Sequence, residues 1–158
     1  MKRSIAMLRR LAVVALVAGI GGCGDDATEP GSDDRVAGRY VLLSANGEDL
    51  PATAVTWEDQ SGTWQAVIRS GTLELDRGEY EADFVVDFLV DGVVSIESAT
   101  VTTGGTYTAS GARVTFRAAN PAHGTTEGTL EGEILTVSQP IENYGTFTAT
   151  YQREQSNN

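Results

Sequence analysis

The sequence predicts an all-β domain, a single antiparallel up-and-down β-barrel, with a two-sheet β-sandwich as the alternative. Three observations predict it. Apolar side chains recur at every second position along most of the chain after residue 36. Glycine-ending turn dipeptides separate those runs, and the 18 glycines suit such punctuation. No segment of useful length carries the 3.6-residue period of an amphipathic helix.

The leader, residues 1–22, has the plan of an export signal. Basic Lys2, Arg3, Arg9 and Arg10 precede the apolar run Leu11 to Ile20, and Gly21 and Gly22 close it. About a dozen apolar residues fall short of the roughly 20 that a spanning helix needs. The next stretch, Gly24 to Arg35, contains no large apolar side chain and reads as a flexible acidic linker following Cys23. Asp25, Asp26, Asp33 and Asp34 lack the spacing and the glycine of a calcium loop, so they read as solvated. The domain then runs from 36 to 153, with a polar tail at 154–158.

Alternation is clearest from Glu79 to Val90. Tyr80, Ala82, Phe84, Val86, Phe88 and Val90 share one face; Glu79, Glu81, Asp83 and Asp87 share the other. The same parity turns Tyr40 and Leu42 inward, then Leu73 and Leu75, Val94 and Ile96, Val114 and Phe116, Leu135 and Val137, and finally Phe147, Ala149 and Tyr151. Gly71 falls where the inward parity changes from Ile68 to Leu73, which predicts a bulge or bend. Turns are expected at Asn46-Gly47, Ser61-Gly62, Arg77-Gly78, Asp91-Gly92, Gly104-Gly105, Ser110-Gly111 and Glu131-Gly132. Trp57 and Trp64 flank Glu58 to Thr63 symmetrically. A hairpin there sets them opposite each other, with Val55 facing Ala66 and Thr53 facing Ile68.

Charge and composition exclude several functions. The chain carries 11 basic and 22 acidic residues, a net of −11; cut before Cys23, it keeps 7 basic and 22 acidic residues, a net of −15. Nucleic acid and anionic lipid both call for clustered cations, so neither is an expected electrostatic partner. One cysteine and one histidine leave no disulfide framework, cysteine-built zinc site or imidazole cluster, and no metal or cofactor is expected. The face of Glu79, Glu81, Asp83 and Asp87 spaces carboxylates about 6.7 Å apart. Acid–base work on glycosides would need one of them buried, and parity puts all four in water. His123, in Asn120-Pro121-Ala122-His123-Gly124, reads as a solvated loop residue with no accompanying nucleophile motif. Inward polar groups are few, chiefly Ser44, Ser98 and tyrosine hydroxyls, and no enzyme activity is expected.

Two resemblances add to this. Ile20-Gly21-Gly22-Cys23 resembles the lipobox of bacterial lipoproteins. That implies cleavage before Cys23, acylation of its thiol and new amine, and membrane attachment through the lipid. Gly24 after the cysteine implies the outer membrane of the cell envelope. Within the domain, Gly38-Arg39-Tyr40-Val41-Leu42, Leu50-Pro51, Ser70-Gly71-Thr72-Leu73-Glu74-Leu75, Gly78-Glu79-Tyr80 and Gly105-Thr106-Tyr107 resemble the lipocalin-like domains of bacterial lipoproteins. Tyr40 occupies the place of the tryptophan in the lipocalin Gly-x-Trp signature, and Arg153 stands where an arginine covers that ring. The resemblance implies a barrel that binds a small apolar or amphipathic ligand. Its expected lining is Tyr40, Trp57, Trp64, Phe84, Phe88, Tyr107 and Phe116, with Trp57 and Trp64 either a platform at the mouth or a core-closing cross-strand pair. The competing expectation is a filled-core structural or protein-interaction module of the envelope.

Overall fold

The computed structural model describes residues 35–141 and 145–155. The expected leader, Cys23 and nearly all of the linker lie outside the described residues. Ten strands follow in order: β1 (Gly38–Ala45), β2 (Glu48–Asp49), β3 (Ala52–Asp59), β4 (Gly62–Asp76), β5 (Glu79–Val90), β6 (Val93–Ser110), β7 (Arg113–Ala118), β8 (Thr125–Glu131), β9 (Ile134–Ile141) and β10 (Gly145–Arg153). A 3-10 turn, Pro121–His123, joins β7 to β8.

All pairings are antiparallel between chain neighbours, and β1 also pairs with β10 and β4. The run from Gly38↔Leu75 to Val41↔Thr72 therefore closes β1 and β4 through β10 into an eight-stranded up-and-down barrel. Closure rules out the sandwich and removes most sheet edges. β2 and β3 stand outside the ring. Strand length decides this: the second half of the 15-residue β4 meets β1, while its first half overshoots and pairs with β3.

The interior follows the predicted parity along most strands. Tyr40, Leu42, Leu73, Leu75, Val114, Phe116, Leu135, Val137, Phe147, Ala149 and Tyr151 are all buried. At the end where β1 begins and β10 finishes, the Tyr40 hydroxyl donates to the Val36 carbonyl at 2.7 Å. The Arg153 guanidinium lies 5.5 Å from the centre of the Tyr40 ring and also donates to the Arg35 carbonyl at 2.9 Å and to the Ala37 carbonyl. This latch ties the first strand to the last.

The structure corrects several expectations, and bulges explain most of them. The parity change in β4 lies at Arg69, where the register with β5 slips between Ile68 and Ser70. Gly71 is a regular partner of Phe84 instead, and an added Cβ there would meet the Phe84 ring at 2.9 Å. A second bulge, between Thr53 and Val55, moves Ala52 rather than Thr53 opposite Ile68. Gly104 and Gly105 make no turn; they lie within β6, paired with β5, and Gly105 also pairs with β7. Val94 and Ile96 are exposed, at 47% and 50%, because the start of β6 slips twice against β5 and has no strand on its far side among the described residues. Ser98 is exposed as well, and Ser44 is only partly buried.

Asp87 is the largest departure from parity. It is 1% exposed rather than solvated. Two bulges converge on it, one at Arg69 in β4 and one in β6, where Ser98 adopts φ 53°. Arg69 Nε and a second guanidinium nitrogen reach one carboxylate oxygen, and the Ser98 backbone N–H donates to the other at 2.8 Å. The Arg69 hydrogen bond and the Ser98 amide hold the Asp87 carboxyl below its ordinary value of 3.8, against the opposing effect of desolvation. A depressed folded-state pKa adds stability above the unfolded value, and that stability is lost as pH falls through the folded value. Asp87→Asn is therefore expected to unfold at lower urea than wild type at pH 7. The two midpoints should converge below pH 3.8; a gap that persists undiminished at low pH would contradict the ion pair.

Candidate apolar cavity

The barrel is filled at one end and hollow at the other. Around the Arg153–Tyr40 latch, Leu73, Leu75, Tyr107, Phe116, Leu135 and Tyr151 are packed to 3% exposure or less. Phe116 sits edge-on to Tyr80 at 5.2 Å and tilted against Tyr107 at 6.5 Å. Three of the residues expected to line a lumen, Tyr40, Tyr107 and Phe116, thus belong to the solid core and do not line the cavity.

Toward the opposite end, where β4 begins and β5 finishes, a cavity of about 270 Å³ opens. Small side chains make room for it: Ala66 on β4, Ala118 at the end of β7 and Gly124 after the 3-10 turn. Phe84 and Phe147, edge to face at 6.0 Å and 78°, form one aromatic wall, and Ile68, Val86 and Phe88 extend it. Among the seven expected lining residues, Phe84 and Phe88 reach this space. Small-molecule sites span roughly 300–1,000 Å³, so this one falls just below the range and suits only a small ligand.

The mouth arises from a mismatch in strand length. β6 runs beside β5 along its length, yet β7 joins it only from Gly105 onward. Val101, Thr102 and Thr103 border the cavity as a strand edge with no neighbour on the far side among the described residues. The 3-10 turn places His123 on the border too. Asn120 caps that turn by accepting from the Ala122 amide at 3.0 Å, and its side chain stands 3.4 Å from His123 Nε2. His123 is accordingly half-buried at an apolar opening rather than a fully solvated loop residue.

Trp57 and Trp64 are direct cross-strand partners, with Val55 opposite Ala66, as their spacing predicts. Their rings stack at 5.8 Å and 7°, and Trp57 meets Phe88 edge-on at 6.3 Å. They cover the overshooting β3–β4 hairpin beside the cavity without lining it. Beyond them Asp59 accepts from the Ser61 amide at 2.6 Å, which, with the Trp64 side chain nearby, lowers its pKa.

A larger hollow of about 480 Å³ lies on the outer wall of β7–β10, among outward-facing Arg113, Glu127, Thr129, Thr136 and Thr148. It is a solvated surface depression, with Arg113 and Glu127 3.5 Å apart across it. The acids Glu79 and Glu81 are exposed as parity predicts, and no three metal-ligating side chains cluster among the described residues. No described helix is long and apolar enough to cross a membrane.

Gln139 was not anticipated as a lining residue. Its signal was present, since it continues the inward parity of Leu135 and Val137 and faces Phe147 across the β9–β10 pair. Ala66 and Ala118 carried no signal, because a small residue predicts neither packing nor space.

Fold and site define a class: an eight-stranded antiparallel up-and-down barrel, half solid core and half apolar cavity, with a side mouth at one strand edge. No protein-family model matches the chain, and neither does any curated protein. Among solved structures, the chain is similar to the crystal structure of a lipocalin-like protein from Bacteroides uniformis, at 12% identity, with 75% of this chain and 97% of that one covered and a TM-score of 0.40.

Proposed function

We propose that this protein is a lipid-anchored barrel of the cell envelope that binds a small apolar ligand and carries out no catalysis. The cavity carries this reading. Enclosed apolar surface of this size is unfavourable to leave against water, and burying a ligand there is worth about 25 cal/mol per Å². The anchoring half rests on the Cys23 motif and its basic leader, and attachment through several acyl chains would be durable, at about 0.8 kcal/mol per buried methylene.

Native mass spectrometry of the protein extracted from its own membrane tests both halves. Acyl mass on the fragment carrying Cys23 and a co-purifying small molecule are expected. Ala66→Phe, which projects a ring into the cavity, should release that molecule and leave the thermal midpoint unchanged or raised. An unmodified Cys23 would remove the anchor, and a protein that never carries or takes up a small molecule would remove the ligand.

One observation favours a second reading, a protein-interaction module. Of the five exposed large hydrophobic residues among the described residues, four (Val93, Val94, Ile96 and Val101) lie on β6. Between Val93 and Gly104 that strand has no neighbour on one side among the described residues, and Glu97 is its only charge. Such an edge suits strand addition by a partner. Under this reading a protein partner co-purifies and is lost in Ile96→Lys, while Ala66→Phe has no effect on it.

A further inference from the structure

Tyr151 is fully buried, and its hydroxyl has no hydrogen-bond partner among the described residues. Burial pushes the phenol's pKa up and the nearby Gln139 side chain works against that rise, but its geometry stops short of a hydrogen bond. The phenol is therefore a neutral donor in search of an acceptor. Leaving such a group unmet costs more than a hydrogen bond gains. Gln139 borders the cavity, and its amide carries the acceptor that the phenol lacks. An amide whose Oε1 accepts from Tyr151 keeps its two Nε2 hydrogens for another acceptor.

Of the other polar groups around the cavity, the Thr102 hydroxyl donates outward to Asp83 at 2.6 Å and His123 stands at the rim beside Asn120, while Thr103 and Thr126 add only single hydroxyls to the lining. Among the described residues no lysine or arginine borders the space, His123 is its one titratable side chain, and the chain's net charge is −11, so a carboxylate or phosphate would be buried without a permanent counter-ion. We infer that Tyr151 and Gln139 act as a relay that selects a neutral, mostly apolar ligand bearing one hydrogen-bond acceptor, such as a ketone, ester or ether. The inference rests on the cavity being a ligand site and deepens it.

Titration calorimetry of the full-length protein with matched probes tests it. The probes are 2-acetylnaphthalene, its near-isosteric hydrocarbon 2-isopropylnaphthalene, and the anion 2-naphthoate. The ketone should bind about tenfold more tightly than the hydrocarbon, the worth of one buried hydrogen bond, and the anion most weakly. Gln139→Leu should erase the ketone's advantage and preserve hydrocarbon binding. Tyr151→Phe removes an unsatisfied hydroxyl, so it should fold at least as stably, yet it should shrink the preference because the amide is no longer oriented. Equal affinity for ketone and hydrocarbon, a preference for the anion, or an equal loss for every probe in Gln139→Leu each overturns the relay and leaves the cavity a ligand site. If none of the probes binds, relay and cavity reading fall together.

Discussion

Gly105→Ala is expected to destabilise the domain by about 3 kcal/mol, the upper end for overpacking. β6 is flanked on both sides at this residue, paired with Tyr80 on β5 and with Ala118 on β7. The end of β7 folds across it, with the Ala119 amide donating to the Gly104 carbonyl at 2.8 Å. An alanine Cβ would sit 2.1 Å from the Arg117 carbonyl oxygen and 2.8 Å from the Ala119 nitrogen. Both are main-chain atoms, so no rotamer change relieves the clash; β7 must separate from β6. Because β7 leaves β6 at this point to form the cavity mouth, the same variant should also weaken ligand binding. Gly132→Ala provides the contrast. That glycine has φ 62° with nothing within 4 Å of an added Cβ, and its replacement should cost only about 1 kcal/mol. Urea denaturation of the two variants checks the difference; equal midpoints would show that β6 and β7 do not approach as described.

Tyr40→Ala should cost about 4 kcal/mol, the range for removing a buried aromatic ring. For a domain of this size that is roughly 15 °C in thermal midpoint. The ring is completely buried, its hydroxyl holds the Val36 carbonyl, and its face supports the Arg153 guanidinium. Arg153→Met alone should cost about 2 kcal/mol through its carbonyl bonds and its contact with the ring. The two residues touch, so their effects should fall short of additivity by about 1 kcal/mol in a double-mutant cycle. Strict additivity would mean that Arg153 holds the chain start independently of Tyr40. The pair also decides closure: β1 meets β4 through only four residue pairs, beginning at Gly38, where φ is 146° and an added Cβ would meet Arg153 Nε at 2.9 Å.

Much of this architecture was legible from parity. Alternation over Glu79–Val90 and the Trp57–Trp64 symmetry each depend on local strand geometry, and both appear in the observed registers. Where parity misplaced a side chain, it did so beside a bulge. One extra residue at Arg69, Ser95 or Ser98 reverses which side chains face inward, and no single residue type announces it. Asp87 is the sharpest case. Its neighbours place it on a wet face, and only two bulges arriving from flanking strands bury it with a guanidinium and an amide.

The chain by itself determined a strand-and-turn domain, most of its inward faces and its opposed tryptophans. Those properties follow from residues near one another in sequence, where backbone pleat and side-chain chemistry act directly. Tertiary structure alone decided that the barrel closes through β1 and β4, that Tyr40, Tyr107 and Phe116 fill one end, and that Ala66, Ala118 and Gly124 leave space at the other. Whether a ring packs or lines a void depends on the volume that distant strands bring to it, and that volume is a sum over the whole barrel which no local pattern records.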